Sequence, residues 1–271
     1  MKGRQWRLVG AKYGAITGAN FQNQLAYVGD TLSRAVVVWL FMFIFVQLWG
    51  WAYETRGTAE MAGLSFGATI WYFLWAEVME MGKMRPDQRI SEEVKDGSIA
   101  YTLVRPYNYL AYHFFYGLGD SLMRMGLIFL FGSPLVLYYV GLPPFNLVYL
   151  LPWLLIVAQA LLLNFFFLSI IGLMAFIIED TNSLHLIYQK LVFILGGLLI
   201  PVDFLPGVLQ TIARNLPFSL TTYAPARLFV AFNWTDWVQL GGRQLIWLVV
   251  VGLVLWWQYR WAAERLAING G

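Results

Sequence analysis

Two glutamates lie inside a long apolar stretch of the chain, where an ionisable side chain is costly and is often functional. Glu77 and Glu80 are three residues apart, so a helix would place them one turn apart on the same face. Carboxylates in that arrangement can bind protons or cations. The alternative is structural: both side chains extend toward Lys83 and Arg85, which follow directly. From the sequence we favour the structural interpretation.

The remaining polar residues do not form a recognisable catalytic centre. Asp120 and Arg124 are spaced for an ion pair on one helix face, and His113 and His185 are far apart in the chain. The chain contains no cysteine, which excludes disulfides and thiolate ligands, and two isolated histidines do not predict a metal site. It also lacks the Gly-x-x-x-x-Gly-Lys-Ser/Thr loop that binds phosphates. We therefore predict no catalytic residue, metal or cofactor on this chain.

The composition predicts an integral membrane protein. Of the 271 residues, 59% are hydrophobic and only 12% are charged, about half the charged share of a soluble domain. The net charge of +3 comes from Lys and Arg residues that concentrate beside apolar stretches, where they set topology or contact anionic lipid. We predict one transmembrane domain over residues 1–271, embedded in the lipid bilayer, with no nucleic-acid partner.

Six apolar stretches are long enough to cross a bilayer, which takes roughly 17–25 residues. Most Lys and Arg residues precede the first stretch or follow the second and the sixth, so the positive-inside rule places both termini in the cytoplasm. The sequence thus predicts an all-α membrane protein with six transmembrane helices, a multi-pass protein of a bacterial cytoplasmic membrane. The stretches cover residues 35–53, 61–81, 121–142, 148–178, 184–200 and 245–261.

Residues 1–34 combine aromatic and basic side chains ahead of the first stretch. Tyr13, Ile16 and Phe21 recur at roughly helical spacing close to Lys12. This pattern favours an amphipathic helix that lies at the membrane interface. The alternative is a basic tail without a defined structure.

A polar segment, residues 82–117, joins the second and third stretches on the cytoplasmic side. Pro86 can begin a helix there and Gly97 can end it, and Ile90 with Val94 forms a small apolar face. A helix this short is marginal in water, so it needs a packing surface on this chain or on a partner. The alternative is a solvated loop that only connects two spans.

The fifth stretch ends in a cluster of residues that break helices. Gly196, Gly197, Pro201 and Pro206 interrupt it, and residues 201–240 are too broken to span a membrane yet too apolar for an ordinary loop. Non-helical backbone survives at membrane depth only where protein or a water-filled cavity covers it. We therefore predict short re-entrant or interfacial helices at the outer face.

Taken together, these features resemble the type-2 ABC exporter permeases. The resemblance rests on the basic N-terminal segment, the six stretches, the outer break, and the sequence Gly-Ser-Ile-Ala-Tyr-Thr-Leu-Val-Arg-Pro at residues 97–106. More specifically, the chain is similar to bacterial permeases whose second cytoplasmic connection carries a Gly, a short apolar run and Leu-x-Arg/Lys-Pro.

The resemblance implies a division of labour between subunits. Two permeases, identical or related, would pair, and each would rest on a cytoplasmic ATP-binding subunit that carries ATP and Mg²⁺ and drives a substrate outward. The segment 4–32 would be the interfacial helix. A coupling helix would insert into the ATPase, with residues Arg89, Ile90, Glu92, Glu93, Val94, Lys95 and Asp96.

The resemblance also implies a transport path. An outer gate within residues 201–232 would include Pro201, Phe204 and Pro206. A cavity between the first, second and fifth spans of both subunits would be lined by candidates Phe41, Phe45, Trp71, Trp75, Phe193 and Leu198. Each of these could instead face lipid or pack between helices. A cavity rich in aromatic residues suits an amphipathic or hydrophobic substrate.

Three other functions stay open. An ion-coupled secondary carrier would show inverted repeats and midplane charges, whereas the halves of this chain show no convincing repeat and its ionisable residues lie near span ends. A membrane-embedded lipid-modifying enzyme would need an acid/base, nucleophile or metal cluster, which the sequence lacks. A structural assembly factor is the third. We prefer the permease of an ATP-driven exporter, a transport subunit and not an enzyme.

Overall fold

The chain folds almost entirely into helices, as the sequence predicts. The structure, a computed structural model, describes residues 2–25, 28–103, 107–178 and 180–269. Arg105 and Pro106, at the end of the segment that carries the resemblance, lie outside the described residues. In chain order the helices are α1 (Lys2–Leu25), α2 (Val28–Arg56), α3 (Phe66–Gly82), α4 (Pro86–Lys95), α5 (Ile99–Leu103), α6 (Tyr109–Val140), α7 (Leu150–Leu173), α8 (Asn182–Leu195), α9 (Gly207–Asn215), α10 (Tyr223–Val230) and α11 (Trp234–Asn269).

Helix α3 forms the centre of the core. Ile70, Tyr72, Phe73 and Leu74 have no exposed surface, and the helix packs against α2, α6 and α10. A helix that is apolar around its whole circumference is buried on all sides. The neighbouring helices α6 and α7 then carry the outer elements: α6 contacts α1 and α2, while α7 contacts α4, α10 and α11.

Four helical segments are long and apolar enough to cross a membrane. They are Val36–Arg56, Tyr109–Val140, Leu147–Phe176 and Trp234–Glu264, which confirms a multi-pass, all-α membrane protein. The predicted second and fifth spans correspond to α3, with 17 residues, and α8, with 14 residues. At 1.5 Å per residue these helices rise about 26 and 21 Å, less than the roughly 30 Å of a hydrocarbon core.

The predicted start of the stretch 61–81 is wrong. Residues Glu60–Met61 (β1) and Leu64–Ser65 (β2) pair instead as a small antiparallel hairpin. The turn between them holds two residues at positive φ, Ala62 at 48° and Gly63 at 76°, which a helix cannot contain. Hydropathy extended the span into this hairpin because Leu64 belongs to the same core as α3 and Met61 is also buried.

Candidate functional site

Helix α4 is held against the membrane helices by one buried face. Asp87, Ile90 and Ser91 on this face are almost completely buried. Oδ2 of Asp87 lies 2.9 Å from Nδ1 of His185, and the Thr181 hydroxyl donates to Ser91 Oγ at 3.0 Å. Both contacts join α4 to the start of α8.

A glycine lets α7 approach the same face closely. A Cβ atom on Gly172 would lie 2.9 Å from Cβ of Ile90 and 3.1 Å from the backbone of Asp87. Any other residue would therefore push the two helices apart, because close-packed interiors leave no slack.

The last turn of α4 is anchored to α6 through Glu93. The Tyr109 hydroxyl donates to Glu93 Oε2 at 2.8 Å, and Nε2 of His113 lies 3.4 Å from the same oxygen. Arg89 places its guanidinium 3.7 Å from the centre of the Tyr116 ring. Burial raises the pKa of the Glu93 carboxyl, but the hydrogen bonds and charges of its neighbours, His113 first, outweigh burial and lower the pKa overall.

The opposite face of α4 is exposed. Gln88, Glu92 and Lys95 follow one another at i, i+4 and i+7, and Asp96 continues the same surface. We call these four residues the docking face. The predicted coupling residues therefore divide: Glu92, Lys95 and Asp96 are exposed, whereas Arg89, Ile90, Glu93 and Val94 are buried or half-buried against the membrane domain.

A cavity of about 320 Å³ opens between α2, α3, α6 and α8. Of the predicted path residues, Phe41, Phe193 and Leu198 line it. We call it the inner cavity, because it lies at the end of α3 from which the segment 82–117, predicted to be cytoplasmic, continues. Its polar wall consists of Glu77, Glu80, Lys83, Arg85, Arg124, Gln189 and Lys190.

The structure places the other three predicted path residues away from this cavity. The Phe45 ring stacks on Phe73 with centroids 4.3 Å apart. Trp75 packs against Trp153 at 4.6 Å, and Trp71 donates its indole N–H to the Gly141 carbonyl at 3.1 Å. Both tryptophans therefore face α6, α7 and α10 and belong to the core.

A second cavity, of about 600 Å³, lies at the other end of α2 and includes Trp49, Ile200, Asp203 and Phe204 in its lining. We call it the outer cavity. Trp49 contacts Phe73 with centroids 5.6 Å apart and Phe204 at 5.1 Å. Together with the stack of Phe45 on Phe73, these rings form a continuous row of aromatic contacts.

The break before the predicted gate segment is fixed to the core by a hydrogen bond. The Tyr72 hydroxyl donates to the Gly197 carbonyl at 2.7 Å, where Gly197 has a φ of 78° that ends α8. Pro201 then precedes a short 3₁₀ turn, Val202–Phe204, and Pro206 precedes α9.

Asp203 joins this segment to α9 and α10. Its Oδ1 accepts from Arg214 at 2.9 Å and from the Tyr223 hydroxyl at 2.8 Å, while Oδ2 lies 3.1 Å from Nε of Arg227. One carboxylate thus organises three neighbours.

The comparison with known families agrees with this architecture. The model of the ABC-2 family transporter protein matches residues 41–270, most of the chain. The chain belongs to this family. The match confirms the resemblance to type-2 ABC permeases and identifies an ABC permease, a membrane transport subunit of a kind that associates in general with an ABC ATP-binding subunit. None of the curated proteins matches the chain.

The matched region of this ABC-2 transporter contains α3 to α11, and therefore α4 and both cavities. Sequence reasoning found the apolar residues Ile90 and Val94 on the packed face of α4 but missed the polar residues Asp87 and Ser91. Asp87, Ile90, Ser91 and Val94 are spaced i, i+3, i+4 and i+7, which is one face of a helix. Two polar residues on an otherwise apolar face were the available signal, although nothing in the sequence paired them with His185.

Proposed function

We propose that this chain is the permease subunit of an ATP-driven exporter. It moves an amphipathic or hydrophobic substrate out across the cytoplasmic membrane of a bacterium. Two permeases, identical or related, pair, and two copies of a separate cytoplasmic ATPase bind ATP and Mg²⁺. Both termini lie in the cytoplasm, and the six spans are α2, α3, α6, α7, α8 and α11.

The observation that carries this proposal is the two-sided character of α4. A helix of 10 residues is not stable alone in water, and here its buried face supplies the packing. The docking face keeps its charges in solvent, which suits a polar groove on an ATPase. A displacement of α4 by the ATPase would pass directly to α7 through Gly172 and to α8 through Asp87 and His185, because these contacts leave no free space.

The two cavities support a transport path along α2. Phe41 borders the inner cavity and Trp49 the outer cavity, eight residues or about 12 Å apart along the helix. The stacked rings of Phe45 and Phe73 would form an aromatic barrier between the two cavities in this conformation. Export would open this aromatic barrier, and movement of α8 would shift Leu198 and the gate residues Pro201, Phe204 and Pro206 together.

The arrangement of α1 and of the outer helices fits the same proposal. Helix α1 lies along the start of α6, where the Thr17 hydroxyl donates to the Phe115 carbonyl at 2.8 Å and the Asn20 amide donates to the Tyr116 carbonyl at 2.7 Å. This supports an interfacial helix beside the cytoplasmic segment. The short helices α9 and α10 would be the re-entrant elements of the outer gate.

An ion-coupled carrier is the second candidate, and one observation favours it. Glu77 is a buried carboxylate in the wall of a cavity, a position in which proton-coupled carriers use acids. Transport that continues without ATP and stops when the proton gradient is dissipated would favour this alternative over the exporter.

Co-purification tests the exporter directly. The tagged full-length chain is extracted from its native membrane in mild detergent, and mass spectrometry identifies what remains bound. We expect a stoichiometric ATPase in the wild type. In Glu92→Lys and in Lys95→Glu its recovery should fall about tenfold or more, because an opposite charge on a docking surface costs over 1 kcal/mol.

Glu54→Lys is the matched control. It introduces the same charge reversal at an exposed position near the C-terminal end of α2, outside the docking face, and should leave ATPase recovery unchanged. Equal recovery from the wild type and both docking-face variants, or an active transporter with no ATPase bound, would overturn the proposal.

A further inference from the structure

The inner cavity has a buried carboxylate, Glu77, in its lining. The Glu77 side chain lines the cavity and the residue is only 5% exposed. Within the part of the chain that the structure describes, it makes neither a hydrogen bond nor an ion pair. Glu80, one turn further along α3, is different, because it is paired with Lys83.

Each basic residue of the cavity has a contact of its own, and Lys83 pairs with Glu80 as described. Arg124 pairs with Asp120 at 2.6 Å and donates to the Lys83 carbonyl at 2.8 Å. Nε of Arg85 lies 3.7 Å from Oδ1 of Asp87. Lys190 is exposed and lies 5.9 Å from the centre of the Phe193 ring. A buried carboxylate is costly without a partner, so the cavity offers a binding position for a positive charge.

The cavity also has apolar lining residues. Phe41 and Phe193 are each partly exposed, at 38% and 36%, and both line the cavity together with Met81 and Leu198. The faces of aromatic rings attract cations, and the aliphatic side chains suit an apolar body. The volume of about 320 Å³ is at the lower end of the roughly 300–1,000 Å³ of small-molecule sites.

We propose that the inner cavity binds hydrophobic organic cations, with Glu77 as their counter-ion and Phe41 and Phe193 as the aromatic wall. This inference rests on the proposed exporter function and names its substrate class. It also separates the two glutamates that the sequence left together: Glu80 has the structural role and Glu77 the binding role.

Two ions of the same shape and opposite charge test this inference. Tetraphenylphosphonium and tetraphenylborate are equilibrated by dialysis with the full-length protein, together with any ATPase that co-purifies, in an uncharged detergent. We expect saturable binding of the phosphonium. In Glu77→Gln its dissociation constant should rise about tenfold or more, as expected when a charged partner is lost. Tetraphenylborate should show no binding that depends on Glu77.

Glu264→Gln, an exposed glutamate on α11 outside the cavity, is the matched control and should bind the phosphonium like the wild type. Phe193→Leu, which keeps an apolar side chain, should also weaken phosphonium binding and serves if Glu77→Gln does not fold. Absence of phosphonium binding, equal binding by wild type and both cavity variants, or preference for the borate would overturn the inference. Because ATPase recovery is scored on the same samples, this failure is distinguishable from failure of the exporter proposal.

Discussion

Oδ2 of Asp87 lies 2.9 Å from Nδ1 of His185, although the two residues are 98 positions apart in the chain. Asp87 belongs to the first turn of α4 and His185 to the first turn of α8. Both side chains are buried. Helix α4 is therefore connected to α8, the helix that ends in the break at Gly196 and Gly197 before the predicted gate segment.

A double-mutant cycle on this pair should show strong coupling. Asp87→Ala or His185→Ala alone leaves one buried polar partner unsatisfied, which we expect to cost about 2 kcal/mol of unfolding free energy. The loss of unfolding free energy in the double variant should be smaller than the sum of the two single losses, by at least about 1 kcal/mol. These losses are measured from unfolding midpoints in detergent. The docking face stays intact, so ATPase recovery should hold while transport falls. Additive losses, or transport at the wild-type rate, would contradict a role in transmission.

Glu93 should make the stability of the protein sensitive to acid. Its pKa is lowered in the fold, so the folded state holds this proton less tightly than the unfolded chain does. The resulting stabilisation is fully present above the unfolded pKa, near 4.5, and is lost as the pH falls below that value toward the folded pKa.

Glu93→Gln therefore should flatten this part of the acid-unfolding curve, measured as unfolding midpoint against pH from about 6 downward. Glu92→Gln is the control, because its side chain is exposed on the docking face and lies away from His113 and Tyr109. An unchanged acid dependence in Glu93→Gln would count against the contacts of Glu93 with α6.

The sequence predicted α4 well because its limits are set locally. Pro86 begins the helix, and Gly97 follows it at a φ of 77°, as the turn residues indicated. The hairpin before α3 was not predictable from hydropathy, since Met61 and Leu64 are as buried as the helix that follows. The sequence predicts the limits of an element where turn residues interrupt the apolar pattern, as at Pro86 and Gly97. It does not predict them where apolar residues continue across the boundary, as in the hairpin.

The assignment of side chains to faces of α3 could not be read from the sequence. All faces of this helix are apolar, so no periodicity distinguishes Trp71 and Trp75, which face α6, α7 and α10, from Phe73, which faces α2. Likewise, Glu77 and Glu80 differ in that Glu80 pairs with Lys83 whereas Glu77 is buried in the lining of the inner cavity. Such distinctions depend on the rotation of α3 between its neighbours, which tertiary packing determines.

Gly197 should tolerate no side chain. Its φ of 78° is strained for other residues, and a Cβ would lie 3.1 Å from Val202 and 3.3 Å from Tyr223. We expect Gly197→Ala to cost about 2 kcal/mol of unfolding free energy and to disturb the Tyr72 hydrogen bond. Gly207→Ala is the matched control, since a Cβ there meets open space and should change stability by less than about 1 kcal/mol. Similar unfolding midpoints for the two variants would refute this interpretation of the break.

The carboxylate of Asp203 should be the most sensitive position of the outer segment. Asp203 and Arg227 have side chains that are 9% and 15% exposed, so Asp203→Asn leaves a largely buried guanidinium without its counter-charge. We expect a loss of about 3 kcal/mol in unfolding free energy, together with loss of transport, because α9 and α10 lose their shared anchor.

Arg214→Ala provides the comparison, because it removes another ion pair of the same carboxylate. The Arg214 side chain is 46% exposed, so water already screens the pair and the loss should stay below about 1 kcal/mol. Unfolding midpoints and transport measured side by side test the contrast. If Asp203→Asn lowers stability and transport no more than Arg214→Ala does, burial does not determine the strength of these ion pairs. The predicted gate segment must then be held mainly by the contacts of Gly196 and Gly197 with α3 and the start of α10.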